Sequence, residues 1–347
     1  GEHTLTLPGD ETITMDAEGK PLPVPIVRKA MGFRLIRAVD LAAFPGASLN
    51  AAGELSDASE PQNTASDLLH VLSAYAGAKE DAKAALRARL NLITAELTVT
   101  EQEGGWTWEN INISPGLLTT AFTWRTLLEA KNAGVVVSDQ MLKRTAAFVA
   151  GRYAGIGATD FERKATTLQA MAAAGKADFS LLNPLYRSRE TLTPVALSRL
   201  CAAFIHAGRE EEAKEVLAQL LKTGTAGKTA TGEDTLYWPG SKAVAGLNAL
   251  EESTAAALWC TAKLTPDAPE ARRIALWLLN SQACAPGGTT RCRGQVMQAL
   301  VEWARSLPRA AAEDTVEVLV GGQPIGPVGQ IWPMPQDGKL TIRVKGN

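Results

Sequence analysis

The chain has 347 residues, of which 46% are apolar and 21% are charged, with a formal net charge of -2. This length and apolar content can build one large globular domain or two ordinary ones. The near-neutral charge and a pI near 6.1 exclude the basic surfaces that bind nucleic acid or anionic membranes. No apolar run approaches the roughly 18 residues that span a bilayer. We therefore expect no nucleic-acid partner and no membrane span.

Residues 1–58 lack helical periodicity. Polar and apolar residues alternate at 3–7 and 11–15, and Pro21, Pro23 and Pro25 follow. Prolines confine a strand to an edge or to the surface. Small and polar residues then dominate from Pro45 to Pro61, as in a loop. These features predict a β or extended lead-in that ends in a loop.

Residues 59–308 carry apolar stripes at helical spacing. Comparable apolar runs begin near positions 66, 118, 165, 197, 254 and 296, which is a repeat of about 40 to 50 residues with two helices per unit. A single helical hairpin cannot bury its apolar face alone and must stack on its neighbours. The end units lack the polar caps of an open array, so the pattern favours a closed ring. The predicted fold class is mainly α, an (α/α)6-type toroid with short β segments at both ends.

Two residue patterns, capping residues and acidic runs, indicate where helices begin. Ser114 with Pro115, Ser138 with Asp139, and Thr193 with Pro194 have the residue types that cap and begin helices. The acidic runs at 210–212 and 251–252 are interpreted as first helical turns that face solvent and complement the helix dipole.

In residues 309–347, polar and apolar residues alternate again, at 315–320 and 339–344, and the glycine pair at 321–322 follows the first of these runs. Such a pattern predicts a β-hairpin and a further strand. The segment therefore belongs either to a partial β-domain or to a small sheet that the N-terminal strands complete.

The four cysteines do not have the spacing of a zinc site. Cys201 and Cys260 lie in apolar helical patterns and are predicted to be free and buried. Cys284 and Cys292 flank a turn-rich loop, which favours a disulfide between them. That disulfide implies an oxidising compartment.

The loops between helices contain the candidate ligand-binding and catalytic residues. Trp106, Trp108, Tyr237 and Trp238 are candidate ligand contacts, and their alternative role is to pack the ring and fix the loops. Glycosidases require two carboxylates on opposite sides of the bond that they cleave. The nearby carboxylates of Glu103, Glu109 and Asp234 therefore allow a polysaccharide lyase or glycoside hydrolase as an alternative function.

The sequence lacks residues that other enzymes, such as terpene cyclases and prenyltransferases, require. No acidic box of a terpene cyclase is present, which makes a terpene-cyclase-like domain the weaker alternative. A prenyltransferase zinc site needs histidine, but His70 and His206 lie in helices as structural or surface residues. Ser66, Asp67, His70 and Ser253 have no Gly-x-Ser-x-Gly context. We expect no metal site and no cofactor.

Several segments form a recognisable set: Gln-Glu-Gly-Gly-Trp-Thr-Trp at 102–108, the helices at 118–122 and 128–135, Ser-Asp-Gln-Met-Leu at 138–142, and the helix at 252–258. With these segments, the sequence resembles the thioester-domain toroid of bacterial alpha-2-macroglobulin-like proteins over roughly residues 60 to 345. The strands at 316–344 are similar to the β-domain segment that follows that toroid.

In that family a Cys-x-Glu-Gln motif before the first toroid helix forms an internal thioester. Alignment of its glutamine with Gln62 places Ser59 at the cysteine position and Pro61 at the glutamate position. Serine cannot form a thioester. The resemblance thus implies a thioester-less, non-enzymatic interaction domain, whose partners are other domains of a larger protein or another protein. It also implies a periplasmic, cell-envelope or secreted location.

Overall fold

The computed structural model describes residues 2–6, 11–13, 26–28, 61–78, 80–107, 114–229, 232–244, 247, 249–281, 290–307, 315–320, 323–325 and 339–345. The chain divides into two compact units, one formed by residues 1–40 with 308–347 and the other by residues 41–307. The domain boundaries predicted near residues 58 and 308 fall outside the described residues and stay predictions.

The larger unit is built from helices that alternate along the chain. The described helices are α1 Pro61–Gly77, α2 Glu80–Val99, α3 Leu117–Asn132, α4 Asp139–Ala154, α5 Phe161–Ala173, α6 Phe179–Arg187, α7 Pro194–His206, α8 Glu210–Lys222, α9 Leu250–Leu264, α10 Pro269–Leu279 and α11 Thr290–Ser306. A 3-10 turn, Arg189–Thr191, follows α6.

The odd-numbered helices form the inner wall of a closed ring. Each packs on the next odd-numbered helix, from α1 through α3, α5, α7 and α9 to α11, and α11 packs back on α1. Burial shows the same arrangement: α7 and α9 are buried around most of their circumference, whereas α4, α8 and α10 bury one stripe. The prediction of a mainly α, (α/α)6-type toroid is confirmed.

Ring closure depends on a close approach between α11 and α1. The backbone N–H of Gly294 donates to Ser66 Oγ at 2.9 Å. A Cβ atom at position 294 would lie 2.1 Å from the Ser66 carbonyl oxygen. Glycine is therefore required where the last inner helix meets the first.

Caps fix the beginnings of several helices. Ser138, Asp160, Asp178 and Thr193 each accept a hydrogen bond from a backbone N–H in the first turn of the following helix. The predicted starts at Ser138 and Thr193 are thus confirmed. The prediction of a Ser114 cap is wrong, because α3 begins at Leu117 and its N-cap is Gly116, which supplies no side chain.

Two strands interrupt the helices, which the sequence analysis did not predict. Strands β4, Thr225–Lys228, and β5, Asp234–Tyr237, pair antiparallel between α8 and α9. Residues 225–228 read Thr-Ala-Gly-Lys, and alanine, glycine and lysine are depleted in strands. Burial of Thr235 and Leu236 compensates for that weak local preference.

The smaller unit contains strands from both parts of the chain. These strands are β1 Glu2–Thr6, β2 Glu11–Ile13, β3 Ile26–Arg28, β6 Thr315–Val320, β7 Gln323–Ile325 and β8 Lys339–Lys345. An antiparallel sheet has the order β1-β8-β6-β7, with Glu2 opposite Arg343 and Val318 opposite Ile342. Strands β2 and β3 form a separate pair. The N-terminal strand therefore completes the C-terminal sheet, which is one of the two alternatives drawn from the sequence.

Candidate functional site

The first tryptophan crossing joins α2 to α3. Trp106 is fully buried, and its indole Nε1–H donates to the carbonyl of Leu97 in the last turn of α2 at 2.8 Å. Its backbone N–H donates to Thr120 Oγ1 at 3.0 Å, and that hydroxyl donates to the Trp106 carbonyl at 3.4 Å. One residue thus connects the end of an outer helix to the beginning of the next inner helix.

The glycine pair before Trp106 makes this turn sterically feasible. Gly104 has φ of +88°, and a Cβ on it would lie 2.9 Å from the Arg144 carbonyl oxygen. A Cβ on Gly105 would lie 2.6 Å from Thr120 Oγ1. Glu101 accepts from the Gly104 N–H at 2.6 Å and also pairs with Arg144. The loop is therefore fixed by backbone fit and by polar bonds.

The second crossing, from α8 to α9, repeats these contacts at Trp238. The buried indole Nε1–H donates to the Leu220 carbonyl at 3.1 Å, again in the last turn of the outer helix. The Trp238 N–H donates to Thr254 Oγ1 at 3.1 Å, and that hydroxyl donates back to the Trp238 carbonyl at 3.4 Å. Two crossings of different length and sequence therefore use the same three hydrogen bonds.

The other two aromatic candidates, Tyr237 and Trp108, are near these tryptophans in sequence. Tyr237 is half-buried and stacks on Trp277 of α10, with ring centroids 5.0 Å apart. Trp108 lies outside the described residues. The contacts of Trp106 and Trp238 are those of the packing role, and a ligand role for the four aromatic residues stays a prediction.

The candidate carboxylates are in two different crossings. Glu103 is exposed with φ of 49° in the turn after α2. Asp234 is exposed in the hairpin, where Lys228 Nζ donates to its Oδ1 at 2.9 Å. That hydrogen bond lowers the pKa of Asp234. Glu109 lies outside the described residues.

The predicted thioester and disulfide positions are only partly described. Gln62 is the second residue of α1, but its side chain and Ser59 lie outside the described residues. Cys284 also lies outside them, whereas Cys292 is buried on α11. The thioester position and the Cys284–Cys292 disulfide therefore stay predictions.

Cys201 and Cys260 are free and buried, as predicted. The thiol of Cys201 donates to the Ala213 carbonyl at 3.4 Å, and that of Cys260 to the Ser198 carbonyl at 3.6 Å. Burial raises the pKa of Cys201 well above its ordinary value. A buried thiol of this kind is unreactive.

A cluster that we name the inner polar layer crosses the interior of the ring: Arg125, Glu129, Gln169, Arg199, Glu252, Gln295 and Gln298. Arg199 donates to Glu252 Oε1 at 2.6 Å and to Gln295 Oε1 at 3.1 Å. Gln295 also donates to Glu252 Oε1 at 2.9 Å. The inferred solvent exposure of Glu252 is wrong, because that residue is 6% exposed and pairs with Arg199.

The second half of the layer contains Arg125 of α3. Its Nη1 donates to Glu129 Oε1 at 3.0 Å, while Gln298 Nε2 donates to Glu129 Oε2 at 2.6 Å. Burial raises the pKa of Glu129, and the neighbouring guanidinium acts in the opposite direction. The sequence analysis missed this layer, although a polar residue inside an apolar helical run, such as Arg199, is a detectable signal.

His70 and His206 lie in the described helices α1 and α7. His70 is buried, and desolvation lowers its pKa to about 4. His206 stacks on Trp259 with ring centroids 5.2 Å apart, and burial lowers its pKa to about 4. Within the described part of the chain, no three His, Cys, Asp or Glu side chains cluster as metal ligands. No helix there is both long and apolar enough to cross a bilayer.

Comparison with solved structures identifies the fold. The whole chain matches the crystal structure of Salmonella alpha-2-macroglobulin reacted with methylamine, with a TM-score of 0.61, 17% identity and 23% of that chain covered. It also matches the native conformation of Escherichia coli alpha-2-macroglobulin, with a TM-score of 0.61, 16% identity and 22% of that chain covered. The predicted resemblance to the bacterial macroglobulin toroid is confirmed at the level of fold.

A third match shows that the similarity is confined to part of a larger protein. The structure of Escherichia coli alpha-2-macroglobulin from domain MG7 to the C-terminus matches 99% of this chain, with a TM-score of 0.57, 16% identity and 56% of that chain covered. This chain spans about a quarter of the length of the Salmonella protein. No family model matches the sequence, and no curated protein matches it.

Proposed function

We propose that this macroglobulin-like domain is a non-catalytic protein-interaction domain of a bacterial envelope protein, and that it acts without an internal thioester. The proposal is supported by Ser59, which the alignment of Gln62 with the family's glutamine places at the cysteine position, on a chain that matches the macroglobulin fold over its length. A thioester requires a cysteine sulfur, which a serine hydroxyl cannot supply. Covalent capture of a target by this domain is therefore not expected.

The proposed partners are other domains of a larger parent protein or a separate protein. The macroglobulins that share the fold are much longer than this chain. The proposed location is the periplasm, the cell envelope or the medium, and the predicted disulfide between Cys284 and Cys292 supports an oxidising compartment.

A methylamine reaction tests the absence of a thioester. Intact mass spectrometry before and after incubation will show no added methylamine if residue 59 cannot form the bond. Salmonella alpha-2-macroglobulin, whose methylamine-reacted form has been solved, is the positive control. A gain of one methylamine would overturn the thioester-less proposal.

A glycan-cleavage screen tests the non-catalytic proposal. We expect no turnover of any polysaccharide by the wild-type chain. Turnover that disappears in a Glu103→Gln, Glu109→Gln, Asp234→Asn triple variant would instead establish the lyase or hydrolase alternative.

A further inference from the structure

A cavity of about 280 Å³ lies at the end of the ring where the inner helices begin. Its wall contains the first turns of α3, from Gly116 to Phe122, together with residues of α5 and Leu247. Arg199 in the middle of α7 and Glu252 in the first turn of α9 also line the cavity. Its volume is close to the lower limit of small-molecule sites, which begin near 300 Å³. A ligand of a few carbon atoms, or one residue of a peptide, fits this volume.

Basic groups outnumber acidic ones in the lining. Arg125, Arg163 and Arg199 line the cavity, and Glu252 is the acidic residue among the described lining residues. Arg163 is paired with Asp160, which is not part of this lining. Glu252 is itself occupied by Arg199 and Gln295. The lining therefore favours a ligand with an anionic group.

Two buried guanidinium groups have donors that the inner polar layer leaves unused. Arg199 is 5% exposed, and among the described residues no acceptor lies within reach of its Nε. The hydrogen bonds of Arg125 in that part of the chain all use Nη1. Guanidinium N–H groups that the layer leaves unused can donate to an acceptor that a ligand brings.

The beginning of α3 adds to this positive environment. Gly116 provides no side-chain cap, and residues 116–119 line the cavity. The first-turn N–H groups of a helix lack intrahelical acceptors, and the helix dipole places partial positive charge there. This end of α3 thus acts together with Arg125 and Arg199.

Part of the lining is apolar, and polar residues close the floor. Leu118, Phe122 and Leu247 provide the apolar surface. Arg125, Gln169 and Arg199 line both this cavity and a void of only about 10 Å³ next to Ala202 and Trp259, which lie further along the inner helices. The inner polar layer therefore separates the cavity from the far end of the ring.

We propose that this cavity binds a carboxylate that carries a short apolar group, as found at the C-terminus of a peptide or in a small aliphatic acid. A planar carboxylate accepts paired hydrogen bonds from guanidinium groups, and Glu252 disfavours a more highly charged dianion. This inference rests on the cavity itself and does not depend on the proposed lack of a thioester.

Calorimetric titration of the full chain with defined probes tests the proposal. The probes are acetyl-Ala-Ala with a free C-terminal carboxylate, the same peptide with a C-terminal amide, and butyrate. We expect the amide to bind at least about tenfold more weakly, because it loses a charge-assisted hydrogen bond. Tighter binding of the peptide than of butyrate would identify a peptide as the source, and equal binding would identify a free acid.

A cavity-filling variant locates the binding without altering any charge. Leu118→Trp places an indole at the cavity wall, and Leu221→Trp, on outer helix α8 and away from the cavity, is the matched control. Circular dichroism and thermal unfolding establish that both variants are folded. We expect Leu118→Trp to reduce affinity at least about tenfold and Leu221→Trp to leave it unchanged. Equal binding of the acid and amide peptides, no binding of the acid at millimolar concentration, or full affinity in folded Leu118→Trp would overturn the proposal.

Discussion

The tryptophan crossings and the inner polar layer differ in how completely their buried polar groups are hydrogen-bonded. At Trp106 and Trp238 the indole N–H, the backbone N–H and the carbonyl all have partners on adjacent helices. In the inner polar layer, Arg199 is just as inaccessible but its Nε has no acceptor among the described residues. The crossings therefore satisfy their buried polar groups within the fold, whereas the layer leaves one buried donor of Arg199 without a described acceptor.

The largest expected effect is at a crossing. Replacement Trp238→Ala removes a fully buried side chain and leaves the Leu220 carbonyl without its indole donor. We expect a loss of about 3–5 kcal/mol in the free energy of unfolding, measured by urea denaturation. Trp277→Ala is the control, because its half-buried ring makes a stacking contact with Tyr237. Equal losses for the two variants would contradict the anchoring role of Trp238.

A smaller effect is expected where the ring closes. Gly294→Ala places a Cβ against the Ser66 carbonyl, and overpacking of this kind costs about 1–3 kcal/mol. Gly151→Ala in α4 is a matched control, since no atom lies within 4 Å of the added Cβ. We expect that control to gain about 0.5–1 kcal/mol from helix propensity. A Gly294→Ala variant as stable as wild type would contradict the close approach of α11 to α1.

A pH-dependent effect is expected at His70. Its pKa falls from 6.5 to about 4 in the folded chain because of burial, so the unfolded chain binds more protons between these values. Stability should therefore fall as the pH is lowered from about 6.5 to 4. Asp67, whose pKa burial raises from 3.8 to about 6, acts in the opposite direction in the overlapping range.

The variant His70→Gln isolates the histidine contribution. Urea denaturation at several pH values should show less loss of stability on acidification for this variant than for wild type. An unchanged difference between the two proteins from pH 7 to pH 4 would show that His70 titrates normally in the folded chain.

The sequence predicts the wall of the ring better than its interior. The Gly-Gly-Trp run and the repeating apolar stripes depend on local packing rules, and they identified the crossing and the toroid correctly. Glu252 was misassigned because an acidic residue in a first helical turn has the same sequence signal whether it faces solvent or Arg199. Its partner lies 53 positions away, and helical periodicity does not determine such distant pairs.

The β4–β5 hairpin and the start of α3 at Leu117 were missed for a related reason. Local preferences of residues 225–228 indicate a loop, and Ser114 with Pro115 has the composition of a cap. Tertiary contacts decide both cases: Tyr237 stacks on Trp277, and Gly116 N donates to the Trp106 carbonyl at 2.9 Å.

We propose that the inner polar layer serves a ligand rather than stability, and a double variant distinguishes the two roles. Arg199→Met alone removes the guanidinium that is ion-paired with the buried carboxylate of Glu252 and should cost about 3–5 kcal/mol. Arg199→Met with Glu252→Gln removes both charges and keeps an amide for Gln295. We predict that the double variant unfolds within about 1 kcal/mol of wild type. A loss as large as that of Trp238→Ala would contradict this claim and make the layer a structural element.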